Sequence, residues 1–192
     1  MADMIEKGRI ALVVIDMQKG IASVDRKLEP YDARTVIGNV ASLVSKFRSM
    51  NAPVFLVHVD SKDGKDMLAP QADMPMQRGS NRPANWAEFV DEIKQVPSDI
   101  IITKRQWGAF HGTELDLQLR RRGIDTIVLC GISTNIGVET TAREAYQHGY
   151  NQIFAIDAMS AMSGEEHAAA ERFIFPRIGK VRKTSAVLEM LQ

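Results

Sequence analysis

Ile10-Ala11-Leu12-Val13-Val14-Ile15-Asp16 is the stretch that decides the fold. Its six apolar residues, mostly β-branched, leave no polar face. The segment therefore reads as a strand covered on both sides, not as the alternating strand of a half-solvated sheet. It is also far too short for a signal core or a membrane span. Outward from it, short apolar runs recur at 53–59 (PVFLVHV), 100–103 (IIIT), 126–130 (TIVLC), 152–156 (QIFAI) and 178–181 (IGKV). Helical stretches lie between them, at 33–50, 114–122, 135–148, 164–175 and 185–191. In the first helix Val36, Val40, Leu43, Val44 and Phe47 form an apolar stripe at helical spacing. Strands alternating with helices, joined by right-handed crossovers, predict an α/β fold: a three-layer α/β/α sandwich on a six-stranded parallel sheet.

Length and charge narrow the function classes. A chain of 192 residues suits one domain over 1–192, and a hydrophobic fraction of 45% suits a core covered on two sides. Its 24 basic and 24 acidic residues create no net field for nucleic acid or anionic membrane. The N-terminal Met-Ala-Asp-Met-Ile-Glu-Lys is charged rather than apolar, and the lone Cys130 has no disulfide partner within the chain. Together these predict a cytoplasmic protein. One stretch, 60–85, breaks the rhythm with Pro70, Pro75 and Pro83 and no periodicity. A connection that long reads as a lid, a binding loop, an oligomer contact or a solvated insertion.

Three segments carry chemistry past strand ends, where open α/β sheets bind ligands. Asp16 follows six apolar residues, so its carboxylate emerges at the rim of a low-dielectric core that raises its pKa, as acid–base work needs; an Asp there also serves as a cap or turn residue. Lys104, after the third strand, is placed to hold an acidic partner or stabilise developing negative charge, with Trp107 and Phe110 as pocket walls. The competing reading is a solvated cation beside two core aromatics. The third, Gly131-Ile132-Ser133-Thr134-Asn135-Ile136-Gly137, reads as strand, tight turn and helix start, whose free N–H groups suit an anion or oxyanion. Glycine in a first helical turn costs about 1 kcal/mol against alanine, which points to a requirement for space at 137.

In that order and at about that spacing, the three segments resemble the signatures of the isochorismatase-like (cysteine hydrolase) superfamily. The likeness spans nearly the whole chain and is especially close, along 104–110 and 123–143, to the YecD-type members. It implies the sheet order 3-2-1-4-5-6 and a homo-oligomer, dimer or tetramer. It also implies a catalytic Asp–Lys–Cys set in which Asp16 and Lys104 match and Gly137 stands at the nucleophile position. Cys130, seven residues earlier and inside a strand, does not match and reads as a small buried hydrophobe. Glycine at that position resembles the true isochorismatases, where an aspartic acid protonates an enol ether and water attacks. The implied function is thus acid-catalysed hydrolysis of a small carboxylate-bearing vinyl ether. A non-catalytic binder of the same fold is the alternative, separated from it by loss of turnover on Asp16→Asn.

Gln18, Ser133 and Thr134 complete the expected substrate contacts, and the resemblance implies a cis peptide at Ile132–Ser133. No cofactor is expected, and no metal either. The nicotinamidase-type metal site follows the second strand, where this chain has Asp60-Ser61-Lys62-Asp63 without a following histidine. His58, His111, His148 and His167 show no ligand spacing. Arg120-Arg121-Arg122 reads as the solvated end of a helix.

Overall fold

The computed structural model describes residues 7–23, 25–74 and 82–191. Part of the long connection, 75–81, and the charged N-terminal residues 1–6 lie outside them. Six strands form one parallel sheet: β1 (Ile10–Ile15), β2 (Val54–Val59), β3 (Ile100–Lys104), β4 (Thr126–Ile132), β5 (Asn151–Ser160) and β6 (Lys180–Arg182). Their spatial order is β3-β2-β1-β4-β5-β6, as expected. Six helices flank them: α1 (Ala33–Ser49), α2 (Leu115–Arg121), α3 (Glu139–Gln147), α4 (Gly164–Phe173), α5 (Phe175–Ile178) and α6 (Thr184–Met190).

Both faces of β1 are buried, and alternate residues enter opposite layers. Ile10, Leu12 and Val14 pack with the α1 stripe Val36, Val40, Leu43, Val44 and Phe47, and with Val187 of α6. Ala11, Val13 and Ile15 pack with Leu115 and Leu119 of α2, Ala142 and Ala145 of α3, and Phe175 of α5. Cys130 lies in the α1 layer opposite Val14, fully buried, and burial pushes its thiol far above the usual cysteine range. Among the described residues no helix is long and apolar enough to cross a membrane.

Element ends differ from the expectation where polar residues are spent locally. Lys104 is the last residue of β3 rather than the first of a loop, and β4 runs on to Ile132. β5 continues past Asp157 to Ser160, because that carboxylate is taken by the backbone N–H and hydroxyl of Thr184 at the start of α6 (2.6 and 2.7 Å). The helix expected over 164–175 is two helices. α4 ends at Phe173, and Pro176, pre-set for a first turn, opens α5, which consumes Ile178 and delays the last strand to Lys180. The helix expected from Asn135 opens as a wide π-turn, Thr134–Val138, before α3.

Candidate active site

The chain steps from β1 outward to β3 and then returns to place β4 on the other side of β1. Connections therefore leave the carboxyl ends of β1 and β4 in opposite directions and open a crevice between them. Asp16 closes β1 at this point in the left-handed region (φ 52°), which Asp tolerates better than most side chains. Its N–H still bonds to Val57 O at 2.9 Å, and its carboxylate is buried.

Lys104 comes from β3, two strands away, a span of roughly 10 Å at the usual strand spacing. A long, unbranched side chain closes that gap: Lys104 Nζ donates to Asp16 Oδ2 at 2.8 Å, to Trp107 O at 2.7 Å and to Gln106 O at 3.3 Å. These acceptors match its three N–H protons, so the ammonium has none left for a ligand. Lys104 is thus held by Asp16 and by two backbone carbonyls of the loop that follows it. Burial raises the Asp16 pKa above the ordinary carboxylate value, and it outweighs the opposing pull of Lys104 and the smaller one of His58. Asp16 Oδ1, the oxygen away from Lys104, is buried without a hydrogen-bond partner.

The third component is the turn after β4. Gly131 has φ 117°, and a β-carbon there would lie 2.0 Å from Ile15 O, so glycine lets β4 approach the end of β1. The peptide bond Ile132–Ser133 that follows is cis. A β-carbon at Gly137 would lie 3.1 Å from Asp16 Oδ2, 3.4 Å from Lys104 Nζ and 3.0 Å from Ile15 Cγ2. Position 137 therefore looks straight at the carboxylate–ammonium pair. The turn is braced through Thr141, whose hydroxyl donates to Gly137 O (2.6 Å) and accepts from Ala109 N–H (3.1 Å). Ile136 and Val138 N–H both return to Ser133 O at 3.2 Å, which closes the turn.

The remaining expected contacts divide. Ser133 Oγ is buried and unpartnered, as is Asn135 Oδ1, which sequence reasoning missed. Thr134 is buried with its hydroxyl bonded to His167 Nδ1 (2.8 Å), so only its backbone is left for a ligand. Trp107 is half exposed beside Lys104. Phe110 is not brought to the carboxylate: its ring stacks on His148 at 5.1 Å and lies tilted against Tyr150 at 5.6 Å, within the core layer of α2 and α3.

Gln18 is a structural tie rather than a substrate contact. Its amide donates to Val59 O (3.1 Å) and Trp86 O (3.2 Å) and accepts from Val59 N–H (2.8 Å), joining β2 to the connection before β3. His58 does similar work. Its Nδ1 donates to Ala87 O at 2.9 Å, and its Nε2 shares a 2.9 Å hydrogen bond with Thr103 Oγ1. Gln18→Leu, similar in size, is expected to cost about 2–3 kcal/mol by orphaning buried backbone groups. Urea unfolding measures it; an unchanged midpoint with weakened substrate binding would restore the contact reading.

Among the described residues no group of three or more His, Cys, Asp or Glu converges as a metal ion would require. Asp60 is turned instead to its own neighbour, accepting from Ser61 N–H at 2.7 Å.

A parallel three-layer sandwich with a buried carboxylate–ammonium pair at its switch point, faced by a helix-opening turn, defines the class: an α/β hydrolase of cysteine-hydrolase fold. The chain belongs to the isochorismatase family, whose Isochorismatase domain matches residues 10–186. It is 58% identical over 185 residues to the isochorismatase family protein YwoC of Bacillus subtilis, covering 96% of this chain and 95% of that one. To the isochorismatase family protein YecD of Escherichia coli O157:H7 it is 49% identical over 182 residues, covering 94% and 95%. The structure of an isochorismatase family protein from Burkholderia thailandensis superposes with a TM-score of 0.92 at 41% identity, covering 100% of this chain and 99% of that one.

Proposed function

We propose that the chain hydrolyses the vinyl ether of a small carboxylate-bearing substrate by acid catalysis, without a covalent enzyme intermediate. The observation that carries this reading is Gly137 itself: a β-carbon there would face Asp16 Oδ2 and Lys104 Nζ, and glycine presents no nucleophile to that pair. Asp16, its pKa raised by burial, holds a proton on Oδ1 while Oδ2 stays with Lys104. That proton passes to the terminal carbon of the enol ether. Water adds to the resulting oxocarbenium carbon, and the hemiketal collapses to an alcohol and a 2-keto acid. A proton released from the water restores the acid. The N-terminal end of the Thr134–Val138 turn, with the unpartnered Ser133 Oγ, would hold the substrate carboxylate. An intact Asp16–Lys104 pair with one carboxylate oxygen left unpartnered favours a working acid over a vestigial pocket.

Isochorismate is the first substrate to try, with pyruvate as the measured product. Pyruvate should form with no mass increase on the protein. Because the protonated form is the catalyst, kcat should hold at low pH and fall as pH rises through the raised Asp16 pKa. A rate that climbs with pH, or an acyl adduct formed from an amide, would overturn the proposal.

A further inference from the structure

His167 is a buried titratable side chain that the reaction above does not use. It lies on α4, which is anchored at its start by reciprocal bonds between Ser163 and Glu166 (2.9 and 3.3 Å) and by Glu29, whose carboxylate accepts from Gly164 N–H at 3.2 Å. The ring is 2% exposed. Tyr31, on the segment between β1 and α1, meets it edge-on at 5.8 Å. Tyr31 is itself held by Ser160 at the end of β5, whose hydroxyl accepts from Tyr31 N–H (3.3 Å) and donates to Tyr31 O (2.8 Å). On its other side, Nδ1 shares a 2.8 Å hydrogen bond with Thr134 Oγ1, the first residue of the turn that carries Gly137. Burial lowers the His167 pKa, against a weaker opposing effect of Glu171.

An apolar residue would fill this position without the desolvation cost of an imidazole. What the imidazole adds is one directed bond to the turn that carries Gly137. We infer that His167 is a positioning residue: through Thr134 it fixes the Thr134–Val138 turn, and with it Gly137, relative to Asp16. The inference rests on the proposed reaction for its activity readout but not for its geometric one.

Two substitutions separate the bond from mere packing. His167→Asn keeps a polar atom in the place of Nδ1 and loses ring volume; His167→Leu keeps most of the volume and loses the bond. If His167 acts only by filling space, Leu should outperform Asn. If it positions the turn, Asn should outperform Leu. On isochorismate, His167→Leu should lower kcat/KM about tenfold or more, with most of the loss recovered in His167→Asn. The pH dependence set by Asp16 should stay in place.

Should the wild type not turn over isochorismate, the second readout decides. In a Gly137→Cys background, His167→Leu should slow alkylation of the new thiol by iodoacetamide about tenfold, and His167→Asn should restore it. Leu at or above Asn in the thiol assay overturns the positioning role. The order Asn above Leu there, without turnover of isochorismate by the wild type, upholds it and rejects only the substrate.

Discussion

Asp16→Asn is expected to lower kcat by about 10²–10⁴-fold, the range for removing a positioned general acid, while leaving the protein folded. Asparagine is the suitable replacement because, like aspartate, it tolerates the left-handed backbone at this position (φ 52°). Its amide oxygen can still accept from Lys104, which keeps Gln106 O and Trp107 O as partners. Lys104→Met should lower kcat by another route, because nothing then orients the Asp16 carboxyl. It leaves the Asp16 carboxylate buried without its cation, a loss of about 3–5 kcal/mol where the carboxylate is ionised.

The pH dependence follows from the sign of the shift. The folded Asp16 pKa lies above its unfolded value, so the proton it binds stabilises the fold fully below the unfolded pKa of about 4, and this contribution is lost as pH rises through the folded value. Without Lys104 the shift grows, and Lys104→Met should destabilise least in acid and most above neutrality. Asp16→Asn added to Lys104→Met should recover part of that loss at neutral pH, because no charge then remains buried. Urea titrations of the four proteins at two pH values test the cycle. Additive stability losses, or near-wild-type turnover by either single variant, would show that the two residues do not act as a unit.

Gly137→Cys is the second large effect. The new β-carbon is tight against Ile15 Cγ2 (3.0 Å) and Asp16 Oδ2 (3.1 Å), so a cost of about 1–3 kcal/mol is expected from overpacking. The thiol would extend from there beside the Lys104 ammonium and near the turn amides, all of which favour the thiolate. Iodoacetamide should therefore label it at neutral pH at least about 100-fold faster than Cys130, the internal control whose burial keeps it protonated. Peptide mass mapping distinguishes the two cysteines. Vinyl ether hydrolysis should fall in the same variant, because the side chain crowds the Asp16 carboxyl. A thiol at 137 as inert as Cys130 would remove Gly137 from the site.

The strands were legible because parallel strands buried on both faces have to be continuously apolar, and β1 is. Their ends were less so. Nothing local in Asp157 says that its carboxylate caps α6 instead of ending β5, and only the helix packing shows that Ile178 belongs to α5. At the site, Asp16, Lys104 and Gly137 were recognisable by their order and spacing, and the structure brings them together. Gln18 and Phe110 misled for one reason: a polar or aromatic residue near a catalytic segment looks the same in sequence whether it faces a ligand or braces the backbone. Thr141 lies four residues past Gly137, a spacing at which a helical hydroxyl reaches back to a carbonyl, so it carried a faint signal. His167, 33 residues from its partner Thr134, carried none.

By itself, the sequence determined the class of fold, the two-sided burial of the sheet and the carboxylate, cation and glycine that mark the site. Those properties follow from hydrophobic runs and residue identities, which are local. Tertiary structure alone decided the rest. It set the raised Asp16 pKa, because burial is a property of everything packed around the carboxyl. It decided that all of Lys104's protons are spent, because two of its acceptors are carbonyls with no sequence signature. And it coupled α4 to the Gly137 turn through His167, since a hydrogen bond depends on where two side chains meet in space, not on how far apart they stand along the chain.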